Sequence, residues 1–338
     1  MKIASTFLPA ASAALLLSLA GFTSNATAAP KKVIVVTTTN GFRHSSIPSA
    51  EKTLEKLATE SQAFVIVDYC RQPDVQVPKK PQKPRDLKPD ADDKAKARYE
   101  QDVRKFEAEL AKWTPEMEAN LKAVQQQFDE QMKASLAKLD PAKLTAAGID
   151  GVIFANTTGD LPLPDRDGFI KWVEAGHAFI GMHSCSDTYH GFDLFKTMLQ
   201  GEFAGHGAQV PADLNKGDAN HPATADLPDV WNLKQEEMYL IKGHDRDKLR
   251  ALYFMKHHPN NPQELGYFPV SWCRMAGNGH VFYTTLGHRE DLWDAAEDLK
   301  GRINPIEISK QFQQHILGGI KWALGLAPGS CVPNPEVK

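Results

Sequence analysis

Short continuous runs of β-branched and aromatic residues alternate with amphipathic stretches over the first half of the chain. Val33-Ile34-Val35-Val36-Thr37, Phe64-Val65-Ile66-Val67, Val152-Ile153-Phe154-Ala155 and Ala178-Phe179-Ile180-Gly181 lack the two-residue alternation of a half-solvated strand. Each therefore reads as a strand covered on both faces, as in a parallel sheet. Ser49 to Ala58 and Phe169 to Ala175 carry apolar residues at helical spacing between such runs. This alternation predicts an α/β fold with a mostly parallel sheet and helices on both faces. In the second half, Tyr239-Leu240-Ile241, Leu249 to Met255, Phe268 to Cys273 and His280 to Thr285 are strand-like pieces joined by short turns, with a hairpin signal at Gly277-Asn278-Gly279. They read as antiparallel additions to the sheet. Phe312 to Leu324 is a closing amphipathic helix that stops at Gly325.

The segment 78–140, between the second and third strands, interrupts this pattern. It opens rich in Pro and Lys, and then Tyr99, Val103, Phe106, Leu110, Trp113 and Met117 recur at alternating spacings of 4 and 3, an a/d seam. Thr114-Pro115-Glu116 reads as a helix start, with Thr as cap and Pro in the first turn. Leu121, Val124, Phe128, Met132, Leu136 and Leu139 form a second stripe. An inserted α-helical hairpin accounts for both stripes, with a single kinked helix as the alternative. From Lys79 to Asp140 there are 14 basic and 13 acidic residues, a balance that suits a solvated, salt-bridged face better than a polyanion-binding arm. The insertion reads as a helical decoration, or else as a homodimerisation arm or a lid.

Residues 1–28 have the pattern of an export signal: Lys2, an apolar core from Ala10 to Ala20, and Ala26-Thr27-Ala28 as cleavage site. The expectation is a secreted or periplasmic protein cut near Ala28, leaving one domain over 29–338. The core of that signal is too short to span a bilayer comfortably, and no second apolar stretch is long enough. A formal net charge of −3 gives no footprint for nucleic acid or an anionic membrane. The expected partner is a small molecule or an oligosaccharide. Cys70, Cys185, Cys273 and Cys331 contain no CxxC pair and allow three full pairings, among which the sequence does not choose.

Against this frame the histidines carry the chemistry. Six of the chain's 12 lie in short turn-forming strings: Asn40-Gly41-Phe42-Arg43-His44, Gly181-Met182-His183-Ser184, His190-Gly191, Gly205-His206-Gly207, Gly243-His244-Asp245 and Leu286-Gly287-His288. Several follow predicted strands, and open α/β sheets build their sites at the carboxyl ends of strands. Histidine ligates metals and moves protons near neutral pH. His44, His183 and His288 are the expected metal ligands. Glu237 is a carboxylate ligand or general base, His206 an acid/base, and Arg43 a substrate-orienting group. Asn40, Phe42, Ser184 and Tyr239 are expected to bind substrate. No local His-x-x-x-His spacing exists, so the site must be assembled from distant loops. Mixed His/Glu ligation suits Zn, Mn, Fe or Ni without ranking them. His183 stands where α/β hydrolases carry a nucleophile on a tight turn, with Cys185 close behind.

Taken in order, Asn40-Gly41-Phe42-Arg43-His44-Ser45-Ser46-Ile47-Pro48, Gly181-Met182-His183-Ser184, Asn220-His221-Pro222-Ala223-Thr224, Glu236-Glu237-Met238-Tyr239, Gly279 through His288 and Leu317-Gly318-Gly319-Ile320-Lys321-Trp322-Ala323 resemble the ThuA-like family, named for trehalose utilisation. The resemblance covers 31–78 and about 145–326 and implies a flavodoxin-like, class I glutamine-amidotransferase-like sheet without that superfamily's catalytic Cys. It also implies a role in carbohydrate metabolism, such as turnover of glycosides oxidised to 3-keto sugars. Joined to the residues above, it gives the expectation of a metal-assisted hydrolase or lyase acting on a glycoside or keto-glycoside. The alternatives are a non-catalytic carbohydrate-binding protein, with Trp272, Trp293 and Phe42 stacking on sugar rings, and a Cys185-dependent hydrolase.

Overall fold

The computed structural model describes residue 1 and residues 29–337. The expected export signal falls on residues 2–28, outside the described residues. In chain order the elements are β1 (Lys31–Val36), α1 (Ile47–Ser61), β2 (Phe64–Cys70), α2 (Asp93–Leu110), α3 (Pro115–Leu136), α4 (Pro141–Ala146), β3 (Gly151–Ala155), α5 (Arg166–Glu174), β4 (Ala178–Met182) and α6 (Asp193–Leu199). There follow β5 (Glu202–His206), β6 (Val210–Lys216), β7 (Val230–Glu236), β8 (Tyr239–Lys242), β9 (Arg250–His258), β10 (Asn261–Ala276), β11 (Gly279–Thr284), α7 (Glu290–Trp293) and α8 (Ile306–Ala323).

Nine strands form one sheet in the order β2-β1-β3-β4-β11-β10-β9-β6-β7. β2, β1, β3, β4 and β11 run parallel, and β10, β9, β6 and β7 continue antiparallel. The fold is mixed α/β, as the alternating pattern predicts. Every residue of β3 and β4 is buried, which is why these strands show no polar alternation. Apolar side chains cover both faces of the sheet, Val33, Val35, Ile153 and Ile180 on one and Ile34, Val36, Val152 and Phe179 on the other.

Two features of the second half differ from the sequence expectation. β11 pairs parallel with β4, Val281 opposite Phe179 and Thr284 opposite Met182, and is antiparallel only to β10. Tyr239-Leu240-Ile241 does not join the main sheet; as β8 it pairs with β5 in a separate two-stranded ribbon. β6 and β7 escape the pattern because Pro, Asn, Lys and Gln interrupt any continuous apolar run, and β5 because Glu202, Gly205 and His206 leave it only two apolar residues.

α8 seals one face through Phe312, Ile316 and Ile320, all buried. Gly318 and Gly319 permit its close approach, since a Cβ on Gly318 would meet the Pro222 carbonyl oxygen at 2.1 Å and one on Gly319 the Phe282 ring at 2.4 Å. Between β2 and β3, Asp92 caps α2 by accepting from Ala95 N, and Thr114 caps α3 by accepting from Met117 N, with Pro115 in its first turn. α2 buries no residue, and α3 buries only Met132 and Leu136, where it reaches β2 and the core. Of the a/d seam, Tyr99, Val103, Phe106 and Trp113 are half-buried, and Leu110 and Met117 are exposed. Among the described residues no helix is long and apolar enough to cross a membrane.

Candidate metal centre

Three loops at the carboxyl ends of parallel strands and one junction in the antiparallel half converge. His44 lies between β1 and α1, His183 directly follows β4, His288 follows β11, and Glu237 sits between β7 and β8. One ligand atom from each of these four lies within 4.8 Å of the other three. His44, Glu237 and His288 line a cleft of about 290 Å³ whose walls also include Phe42, Asp187, Phe203, His206 and Tyr239, and His183 is fully buried behind them.

His183 is held by its backbone and by both ring nitrogens. Its φ of 51° is left-handed, a conformation that disfavours a residue with Cβ and collects at functional sites. The sharp turn it makes points the ring back over the sheet edge. Its Nδ1–H donates to the Thr285 carbonyl at 2.8 Å, because a carbonyl can only accept. Nε2 therefore carries the lone pair and accepts from the Tyr239 hydroxyl at 2.8 Å, 3.2 Å from His44 Nε2. A carbonyl on the far nitrogen is the usual way a metal-binding imidazole is oriented. His44 has its own support, Ser184 Oγ at 3.3 Å from Nδ1.

Glu237 ties the cluster together. Its Oε2 lies 3.1 Å from His288 Nδ1 and 3.8 Å from His183 Nε2, and its Oε1 lies 3.0 Å from His206 Nδ1. His288 Nδ1 is buried without a hydrogen-bonding partner of good geometry. On its other side, Gln209 Nε2 lies 2.8 Å from His288 Nε2, and Gln209 Oε1 accepts from Arg289 at 3.1 Å. Glu236, the residue before Glu237, accepts from the His288 backbone N–H at 2.9 Å.

The charge balance follows from burial. Desolvation lowers the His44 pKa to about 4, and the neighbouring His288 adds to the effect. Burial, with His44 alongside, drives His183 well below its usual value. Burial also opposes a charge on His288, but the carboxylates of Glu237 and Glu236 outweigh it and raise its pKa. Burial likewise works to raise Glu237, yet His288, His206 and His44 leave it lowered. Fully buried Glu236 is pushed up to about 7. Two neutral imidazoles thus stand beside an ionised carboxylate.

These residues fit a divalent metal. In a tetrahedral shell with bonds near 2.05 Å, ligand atoms lie about 3.3 Å apart. The separations of 3.2 Å for His44–His183 and 3.1 Å for His288–Glu237 are close to that figure, and the 3.8 Å of His183–Glu237 requires the side chains to draw in. Three nitrogens and one carboxylate suit transition metals. Were His288 to ligate through Nδ1, its proton would sit on Nε2, and Gln209 would have to turn its oxygen to the ring and give up the hydrogen bond from Arg289.

The other residues singled out in the sequence have varied placements. His206, Phe42 and Tyr239 line the cleft. Ser184 is buried and faces His44. Arg43 and Asn40 do not line it: Arg43 donates to the Thr37 carbonyl and Asn40 to the Asp160 carbonyl. His244 is packed on Trp272 and hydrogen-bonded to the Gln200 carbonyl, away from the group. Cys185 is fully buried beneath Gly181, and burial pushes its thiol far up, so it lacks the thiolate a nucleophile needs. Trp272 and Trp293 are each 0% exposed and cannot stack on a sugar; Phe42, at 66%, can. Sequence reasoning missed Asp187, Phe203, Gln209 and the carbonyl of Thr285. Asp187 had a signal in its place four residues after His183. Gln209 had none.

No curated protein matches the chain. A ThuA-like protein from Parabacteroides merdae shares its fold with a TM-score of 0.55 at 16% identity, over 91% of this chain and 99% of its own. Another from Bacteroides uniformis gives 0.53 at 16% identity, over 90% and 95%. The ThuA family model, described as trehalose utilisation, matches residues 108–323, more than half of the chain, a span that includes His183, Glu237 and His288. The chain is therefore a member of the ThuA family, linked to trehalose utilisation and so to carbohydrate metabolism.

Proposed function

We propose that this protein is a metal-assisted periplasmic enzyme, a hydrolase or lyase that cleaves or modifies a glycoside or a 3-keto sugar. One observation carries the reading: His44, His183, Glu237 and His288 converge within 4.8 Å in a cleft at the carboxyl ends of the parallel strands. Those four would hold a divalent ion, and such an ion would polarise a sugar carbonyl or hydroxyl. With His183 Nε2 holding an ion, its lone pair would no longer accept from the Tyr239 hydroxyl. That hydroxyl would be free to donate to the substrate, and burial, which raises its pKa well above the usual value, keeps it a phenol. His206, hydrogen-bonding distance from Glu237 and open to the cleft, would move a proton at the substrate. Phe42 would cover a sugar face. Arg43 and Asn40 have no part in this proposal, because their side chains are engaged outside the cleft.

Other parts of the reading rest on pattern. The parallel order β2-β1-β3-β4-β11 supports a flavodoxin-like, glutamine-amidotransferase-like core. Within a single domain over 29–338, the segment 78–140 would be an inserted helical hairpin and a candidate homodimer contact. The export pattern of residues 1–28 supports the periplasm.

The test is metal content by inductively coupled plasma mass spectrometry on protein purified without tag or chelator, with His183→Ala and His44→Ala alongside. We expect about one equivalent of a transition metal in the wild type, lost in both variants together with keto-glycoside turnover. Metal and turnover intact in both variants would end the proposal. Sugar binding without turnover under any metal would favour a non-catalytic binding protein.

A further inference from the structure

Asp187 stands on the cleft wall outside the group of four. Its Oδ1 meets His190 Nε2 at 2.5 Å, and His190 Nδ1 lies 3.2 Å from Glu202 Oε1. Only the imidazolium donates from both nitrogens, so His190 is held charged between two carboxylates. Burial opposes that charge, but the hydrogen bonds to Asp187 and Glu202 outweigh it and raise the His190 pKa. Glu202 is itself buried and anchored. It lies opposite Lys242 in the β5–β8 ribbon, pairs with that residue's ammonium, and accepts from Gly191 N at 3.1 Å.

The backbone around Asp187 is equally fixed. Gly159 N donates to the Asp187 carbonyl at 2.9 Å, Tyr189 N to the Gly159 carbonyl at 3.1 Å, and Thr157 and Thr188 join hydroxyls at 2.8 Å. Positive φ values at Tyr189 (59°) and Gly191 (76°) fold His190 back onto Asp187. One carboxylate oxygen is thus clamped, while no hydrogen bond from the described residues reaches Oδ2. A preoriented carboxylate that only accepts, beside the aromatic rings of Phe42 and Phe203, fits hydroxyl donors on a ring with an apolar face. A substrate carboxylate is likewise an acceptor only and finds no donor at that oxygen.

We propose that Asp187 is a specificity-determining carboxylate that binds hydroxyls of an uncharged sugar and rejects uronates, with His190 and Glu202 as its positioning residues. This inference rests on the carbohydrate reading above and names the substrate class for it. Asp187→Asn keeps the size of the side chain and removes its charge.

The test measures binding of methyl α-glucoside and glucuronic acid by titration calorimetry to the metal-loaded protein and to Asp187→Asn. The wild type is expected to favour the neutral sugar at least tenfold. The variant should bind the glucoside at least tenfold more weakly and the uronate more tightly, with metal content unchanged. Opposite shifts for two ligands cannot come from loss of fold. A wild type that binds both sugars alike overturns the proposal without any variant, as does an unchanged ratio in Asp187→Asn. Binding of neither sugar to the metal-loaded wild type overturns the carbohydrate reading and this inference together.

Discussion

His183 donates its Nδ1–H to the Thr285 carbonyl at 2.8 Å while its backbone holds a φ of 51°. One residue thus joins the end of β4 to the end of β11 and turns an Nε2 lone pair toward Tyr239 and His44. The hydrogen bond fixes the tautomer, and the backbone turn sets where the ring starts.

Backbone strain at this position separates stability from ligation. His183→Gly and His183→Ala both remove the imidazole, but only glycine accepts left-handed φ freely. We predict that His183→Gly unfolds with a free energy about 1 kcal/mol higher than His183→Ala, while both lose bound metal. Equal urea midpoints for the two variants would show that no strain is stored there.

Gly287 has a φ of 130°, and a Cβ there would approach Trp293 Cζ2 to 2.9 Å and His183 Cβ to 3.2 Å. Its carbonyl accepts from Ser46, Asn156 and Trp293, so the backbone has little room to yield. Gly287→Ala should cost roughly 2 kcal/mol and weaken metal binding by displacing His183. Thermal melts and metal titration measure the two effects, and a variant like wild type in both would contradict the packing described.

Acid should weaken the fold through histidines far from the cleft. Burial lowers the pKa values of His315 and His221 to about 4, against about 6.5 in an unfolded chain. Depressed values mean that the unfolded chain takes up protons first as pH falls. The stability these residues contribute is therefore complete above about 6.5 and lost as pH falls from there toward 4, at up to about 1.4 kcal/mol per pH unit for each group. His315→Gln should make urea midpoints between pH 6.5 and 4.5 less steep in pH than those of the wild type. An unchanged slope would remove His315 from the account.

Three of the four thiols are closed to reagents. Cys70, Cys185 and Cys273 are each 0% exposed, whereas Cys331 is partly exposed. Burial raises the Cys70 pKa to about 12 and Cys273 well above the usual value. Native reduced protein should release one equivalent of thionitrobenzoate quickly and the remainder only in denaturant. Fast labelling at Cys185, read by peptide mass, would reopen a cysteine mechanism.

β3 and β4 were legible because full burial leaves an unbroken apolar run, as in Val152 to Ala155. β2 shows a similar run but is not covered on both faces as expected, since it is the edge strand and leaves Val65 and Val67 exposed. Pro115 after Thr114 marked the start of α3 for an equally local reason: the cap and the fixed φ act within one turn. β6 and β7 were not legible. They lie at and next to the edge of the sheet, where one face meets water, so exposed Asn232 and Lys234 alternate with buried Trp231 and Leu233 and leave no continuous apolar run. The ligand types could be read too, since His44, His183 and His288 follow strand-ending strings and Glu237 sits beside Tyr239.

The distances between those residues belong to the tertiary structure alone. His44 and His183 are 139 residues apart, yet their Nε2 atoms are 3.2 Å apart because the sheet order sets β1, β4 and β11 close together, and strand order depends on long-range pairing. The same pairing buries Trp272, Trp293 and Cys185, which looked available in the sequence, and turns Arg43 to a carbonyl of its own loop. It also brings Glu202 from β5 behind His190, so that Asp187 is fixed by two residues whose types the sequence displayed but whose meeting only the packed chain decides.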